Sequence, residues 1–229
     1  MNTETLQALL AESDIRSGTR PDVLATIVQP GASLCLWDRA PQPDVSAFLA
    51  ALVKCGAPLA LDFIVEAGAS VKVAPVVTAR FSTQLADPAL HALLDDLDRL
   101  IAIFRSLSGG TAVRVRFMRV VDAACALFHV DTLSVRLLCT YHGAGAQWVA
   151  KAHSQRKQLG LRGRNLRKAN AAIVPDPAHI RTMPEWQVGV FKGRAFPGDP
   201  HSALIHRSHP QCCADHARIR LVLDLADAV

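Results

Sequence analysis

The chain has 229 residues, half of them hydrophobic and a fifth charged, a globular composition long enough for a substantial core. Its apolar runs are cut by Lys54, Asp62 and Glu66 short of the ~18 residues of a membrane span. Met1-Asn2-Thr3-Glu4-Thr5 lacks the basic and apolar regions of a secretory leader, so no membrane association and a cytoplasmic location are expected.

In chain order, Leu6, Leu9 and Leu10 predict a short helix and Arg16-Ser17-Gly18-Thr19-Arg20-Pro21 a loop. Leu34 to Trp37 predicts a strand. Asp44 is the expected N-cap of a helix carrying Val45, Phe48, Leu49 and Leu52, ended by Gly56. Leu59 to Val65 and Val71 to Val77 are further strand candidates. The clearest element is a helix from Pro88 to about Leu107, capped by Asp87 and stopped by Gly109-Gly110. Leu90, Leu93, Leu94, Leu97, Leu100, Ile101 and Phe104 form its buried stripe, with Asp95, Asp96 and Arg99 expected to face water.

Strands dominate from there. Ala112 to Val121 alternates Val113, Val115 and Phe117 with Arg114, Arg116 and Arg119, with a phase shift near Met118 that suits a bulge. Val135 to Tyr141, Gln187 to Phe191 and Ile219 to Leu225 are the other strong strands. Helices first and strands later predict an α+β fold. A mixed helix/strand support region at 1–108 carries a β-rich metal-binding core at 109–229, with a long loop at 151–185, all in one structural unit.

Phe128-His129-Val130-Asp131 holds the most informative pattern. An imidazole and a carboxylate two residues apart point to the same side of an extended chain. A second imidazole from a distant strand would complete the two-histidine, one-carboxylate ligand set of non-haem Fe(II) oxygenases. His201, His206 and His209 compete for that place. His206 is favoured because Leu204-Ile205 lead into it as a strand would, whereas His201 follows the turn Gly198-Asp199-Pro200.

The block order from the strand at 112–121 through His129-Val130-Asp131, Arg136 to Tyr141, Trp186 to Gly193, His206-Arg207-Ser208 and Arg218 to Asp224 resembles the 2-oxoglutarate/Fe(II) dioxygenases, particularly their prolyl-hydroxylase-like branch. That resemblance implies a double-stranded β-helix, jelly-roll-like core. It implies Fe(II) held by His129, Asp131 and His206, and the far carboxylate of 2-oxoglutarate held by Arg220 or Arg218. Arg220 is preferred because it opens the apolar run Leu221-Val222-Leu223. The expected chemistry is then hydroxylation of a C–H bond coupled to oxidative decarboxylation of 2-oxoglutarate. The whole chain also resembles an uncharacterised bacterial family, domain of unknown function 1826, through Phe128 to Asp131, Arg136 to Tyr141, Gly145 with Trp148, and His206 to Ser208. Arg136, Tyr141, Trp148 and Ser208 are candidate pocket residues.

Two alternatives stand beside this one. The same triad would serve a non-enzymatic protein binding Zn²⁺, which affinity order favours over Fe²⁺. The formal charge of +5 is also uneven: residues 151–170 hold Lys151, Arg156, Lys157, Arg162, Arg164, Arg167 and Lys168 and no acid. An anionic partner is expected there, and Arg162, Arg164, Arg167 and Lys168 would serve a nucleic-acid-binding module or a loop steering an anionic substrate. The six cysteines include no C-x-x-C pair, and the dense segment His201, His206, His209, Cys212, Cys213, His216 fits no standard zinc finger.

Overall fold

The computed structural model describes residues 14–70, 72–78, 87–123, 125–198 and 200–226; the helix expected at Leu6, Leu9 and Leu10 lies outside them. The described strands are β1 (Ile15–Gly18), β2 (Leu34–Trp37), β3 (Ala60–Val65), β4 (Val113–Val120), β5 (Val135–His142), β6 (Gln147–Val149), β7 (Arg181–Thr182), β8 (Val188–Lys192), β9 (Ile205–Arg207) and β10 (Arg218–Leu225). The described helices are α1 (Pro43–Lys54), α2 (Ala74–Thr78), α3 (Pro88–Leu107) and α4 (Leu166–Ile173). The class is α+β.

Seven strands form one sheet in the order β1-β2-β8-β5-β10-β4-β3, and a smaller sheet runs β7-β6-β9. In the large sheet only β1 and β2 are parallel; the other pairs are antiparallel. The first half of the chain supplies both edges of this sheet, and the second half its centre.

Strand alternation divides the large sheet into two chemically different faces. Val113, Val115, Phe117, Leu137, Cys139, Leu221 and Leu223 face a layer formed by α1 and α3, where Val45, Leu49, Leu97, Leu100 and Phe104 are buried. Each large apolar side chain buried there contributes about 1.5–3 kcal/mol before entropy is subtracted. On the other face Leu34, Leu36, Leu138 and Val222 pack against Ala146, Trp148 and Leu204, so the small sheet lies over that side. The same face carries Arg114 and Arg116 on β4, Arg136 on β5, and Arg218, Arg220 and Asp224 on β10, by strand parity.

Several sequence expectations are corrected. Ile15–Gly18 is strand rather than loop, because main-chain pairing to Leu34–Trp37 tolerates polar side chains at a half-exposed edge. Ala74–Thr78 is helical where a strand was expected; Pro75 lies in its first turn, where proline suits a helix and would break a ladder. α1 begins one residue before Asp44, with Gln42 at the cap and Pro43 in the first turn. Asp87 does cap α3, accepting from the Ala89 amide at 2.8 Å. Asp96 is buried, not solvated: its carboxylate takes both Arg39 Nη1 and Nη2, and a 2.6 Å hydrogen bond from Tyr141 Oη. Met118 pairs in register on both sides, and the irregularity lies instead between Ile219 and Arg220 where β10 meets β5. Residues 151–185 contain α4, β7 and short 3₁₀ turns rather than one long loop. No described helix is long and apolar enough to cross a membrane.

Candidate metal centre

The segment carrying His129 is held in place by main-chain bonds to β9. The His129 amide donates to the His206 carbonyl at 2.9 Å and the His206 amide returns the bond at 3.0 Å. Asn170 of α4 staples the same segment, accepting from the Phe128 amide and donating to the Ala126 carbonyl. On the far side of Asp131, its carbonyl accepts from the Arg194 amide at 2.8 Å. Gly193 makes that approach feasible, since a Cβ there would lie 2.0 Å from the Leu133 carbonyl oxygen.

This frame brings three ligand-type side chains together. One ligand atom from each of His129, Asp131 and His206 lies within 4.8 Å of the others. His129 Nε2 is 3.6 Å from Asp131 Oδ1, and His206 Nε2 is 3.6 Å from Asp131 Oδ2. Each Nδ1 faces a main-chain carbonyl, that of Leu127 at 2.9 Å and that of Leu204 at 3.2 Å. A carbonyl can only accept, so each Nδ1 carries a proton and each Nε2 is turned toward the carboxylate, its lone pair available to a metal when the ring is neutral. Two neutral imidazoles and one ionised carboxylate at this spacing suit a divalent transition metal. His201 and His209 take no part; among the described residues no other such group converges, so the cluster of soft ligands at 201–216 forms no second centre.

Burial and neighbouring charge set the protonation states. Burial pushes His206 down to about 4, with Asp131 opposing. For His129 burial also disfavours the charged form, but Asp131 and the Leu127 carbonyl outweigh it and raise its pKa. Burial would raise Asp131, yet His129, His206 and Arg136 together hold it at about 2. The signs give a testable pH dependence for the metal-free fold. A histidine whose folded pKa is depressed leaves the unfolded chain binding the extra proton, so stability falls as pH drops from 6.5 toward 4. Asp131 contributes stability above about 4 that is lost as pH falls toward 2, while His129 opposes, its contribution fading as pH rises through its raised pKa. Urea unfolding of the apo protein should therefore show a lower midpoint at pH 4.5 than at pH 7, and a His206→Gln variant should show a smaller drop; an equal drop in both would contradict this assignment.

Arg136 ties the centre to the sheet. Its Nη1 donates to Asp131 Oδ2 at 2.7 Å, and its Nε and Nη2 grip Asp224 at 2.7 and 2.9 Å. Asp224 is the cross-strand partner of Arg136 and also accepts from Arg116. A cavity of about 250 Å³ opens beside the histidines, lined by both of them and by Arg136, Ser208, Arg218 and Arg220, with Leu138, Phe191 and Val222 as its apolar wall. The Phe191 ring lies 4.7 Å from that of His206. Arg218 is 2% exposed; its Nη2 donates to Ser208 Oγ at 2.9 Å, and its Nε has no partner. The Arg220 Nε is likewise buried and unpartnered, and burial with Arg218, Arg116 and Arg136 nearby lowers its pKa to about 10.

The remaining candidates fall elsewhere. Tyr141 lies on the opposite face of the large sheet, packed edge-on to Phe117 and Trp186, because it is five residues from Arg136 and so has the opposite parity. Trp148 is buried in the apolar layer between the sheets rather than on the cavity wall. Arg162 lines a separate cavity of about 350 Å³ with Lys157 and Arg194. Arg164 is hydrogen-bonded to Gln158, and Arg167 and Lys168 are exposed on α4. None of these four joins the triad. Arg116, Asp224 and Phe191 were not singled out from sequence. Arg116 and Asp224 share the parity of Arg220 once the β4–β10 register is known, but the register is not written in either strand alone.

Among solved structures, the fold resembles a Pseudomonas putida prolyl-4-hydroxylase at 10% identity, TM-score 0.42, over 89% of this chain and 96% of the other. It also resembles an Arabidopsis thaliana dioxygenase for auxin oxidation solved with 2-oxoglutarate, at 8% identity and TM-score 0.49 over 92% and 91% of the two chains. A rice dioxygenase for auxin oxidation is similar at 13% identity and TM-score 0.43, over 90% and 75%. No curated protein matches the sequence. The family model described as protein of unknown function (DUF1826) matches residues 18–224, which contain every residue of the metal centre and its cavity, and the chain belongs to that family.

Proposed function

We propose that the protein is an Fe(II)- and 2-oxoglutarate-dependent oxygenase of the hydroxylase type, its two facing sheets forming a double-stranded β-helix around the metal centre. One observation supports this above the others: His129, Asp131 and His206 converge beside a cavity where Arg116, Arg218 and Arg220 have buried, unpartnered Nε atoms, and of these three only Arg116 has a carboxylate partner among the described residues. A metal ligand set alone fits many proteins; coupled to a buried carboxylate-binding group it fits a chelating keto acid.

His129, Asp131 and His206 would hold the metal, which when bound supplies oxygen activation coupled to decarboxylation of 2-oxoglutarate. The chain's own residues do the positioning. The Leu127 and Leu204 carbonyls fix both imidazole tautomers, and Arg136 fixes the Asp131 carboxylate through Oδ2. The sequence preference for Arg220 gives way here to Arg218, which is the more deeply buried of the two and, with the Ser208 hydroxyl, offers a planar fork and an additional donor for the far carboxylate. Leu138, Phe191 and Val222 keep that region apolar, which strengthens each charge-assisted bond there.

Thermal unfolding with and without metal tests this reading. 2-Oxoglutarate at a hundredfold excess over its Kd should raise Tm by about 5–10 °C when Fe(II) or Mn(II) is present anaerobically, and have little effect on the metal-free protein. Tight zinc binding with no response to 2-oxoglutarate under any metal would contradict it and favour a metal-binding protein without this chemistry.

A further inference from the structure

The cavity holds more positive charge than one co-substrate accounts for. Arg116, Arg136, Arg207, Arg218 and Arg220 line it, and among the described residues Asp224 and Asp131 are the carboxylates paired with any of them. Asp224 is shared by Arg116 and Arg136, and Asp131 belongs to the metal centre. Arg207 is placed over the Phe128 ring and bonded to Gln147. Among the described residues, Arg218 and Arg220 are left facing the cavity without a carboxylate. They are two residues apart on β10, on the same face, and repel each other there. A buried unpaired guanidinium is costly, and two side by side are more so, unless a ligand arrives with matching charge.

The two arginines also lie at different depths. Arg218 is almost wholly buried and engaged by Ser208. Arg220 is half-buried and makes no side-chain hydrogen bond or ion pair among the described residues, although its Nε is shielded from water. One dianionic keto acid, with one end on the metal and the other on Arg218 and Ser208, leaves Arg220 unsatisfied nearer the entrance.

Building on the co-substrate reading above, we propose that Arg220 is the binding group for the primary substrate, and that this substrate carries an anionic group, a carboxylate or a phosphate, close to the atom that reacts. The cavity of about 250 Å³ is small for a ligand pocket, so the anionic group and the reacting carbon enter together at the end of the substrate. Arg220 is thus a specificity-determining residue: neutral analogues leave its charge unpaired and are rejected.

The test uses the full chain loaded with Zn²⁺, which is redox-inert, and saturated with 2-oxoglutarate at fixed ionic strength. Inorganic phosphate and acetate are titrated separately, with chloride as control, and Tm is followed. A further saturable rise with phosphate or acetate, absent with chloride, is expected, and the more effective of the two identifies the headgroup class. Arg220→Gln should weaken that second response at least tenfold while leaving the affinity for 2-oxoglutarate within about threefold. Arg220→Lys should retain part of it. Circular dichroism and the unliganded Tm establish that the variants fold. If neither anion adds to the 2-oxoglutarate effect, or if both only compete with it, the second anion site is overturned while the co-substrate reading stands. If 2-oxoglutarate itself fails to stabilise the metal-loaded wild type, the co-substrate reading fails, and this inference with it.

Discussion

His206→Ala should lower divalent metal affinity by more than about a hundredfold, beyond the ~10–100-fold typical of losing only an outer-shell partner. The reason is specific to this site. His206 is the most deeply buried of the three ligands, its Nδ1 is already engaged by the Leu204 carbonyl, and its Nε2 has Asp131 as its neighbour. Removing it leaves one imidazole and one carboxylate, a pair too poor to hold a transition metal in competition with water and buffer. His201 and His209, although close in sequence, cannot substitute, since neither shares the convergence. Calorimetric titration with Zn²⁺ or Mn²⁺ measures the loss. Wild-type-like affinity in this variant would remove the triad from consideration.

Arg136→Leu should be the most damaging substitution to stability among the residues around the centre, by about 3–5 kcal/mol. The wild-type guanidinium is shared between Asp131 and Asp224 through three bonds, with both carboxylates about one-tenth exposed. Truncation leaves Asp224 with Arg116 alone and Asp131 with no cation among the described residues except the histidines. For a chain of this length that loss corresponds to a fall in Tm of about 6–20 °C. The double variant Arg136→Leu with Asp131→Asn should recover part of it, because Asp224 keeps Arg116 and removing both members of a buried pair costs less than stranding one. Added metal should also restore stability to Arg136→Leu by neutralising Asp131. A single variant with unchanged Tm would show that the network carries no structural weight.

The triad was legible because its signal is local. His129 and Asp131 are two apart on a short extended segment, bridged to β9 through His129, and Leu204-Ile205 announce the short strand that presents His206. The long helix α3 was legible for the same reason, with its cap, its stripe and its glycine stop all adjacent in sequence. What the sequence hid was pairing between distant elements. Asp96 borders the apolar stripe of α3, and its burial becomes intelligible only with Arg39 and Tyr141, which come from other parts of the chain. Parity could have separated Tyr141 from Arg136, since an odd spacing on one strand places them on opposite faces. The Ser208 contact that distinguishes Arg218 from Arg220 depends on where β9 runs relative to β10, and no periodicity encodes that. The basic segment at 151–170 was legible only as composition, and its placement was not: its charges divide between a separate cavity, local turns and the exposed side of α4.

Anaerobic titration of the Fe(II)-loaded protein with 2-oxoglutarate, followed by visible absorption, tests the central claim most directly. The account predicts a weak charge-transfer band that saturates at one equivalent, is lost in His129→Ala, and is weakened in Arg218→Gln. No band in the wild type despite bound Fe(II), or a band that survives His129→Ala, would contradict it.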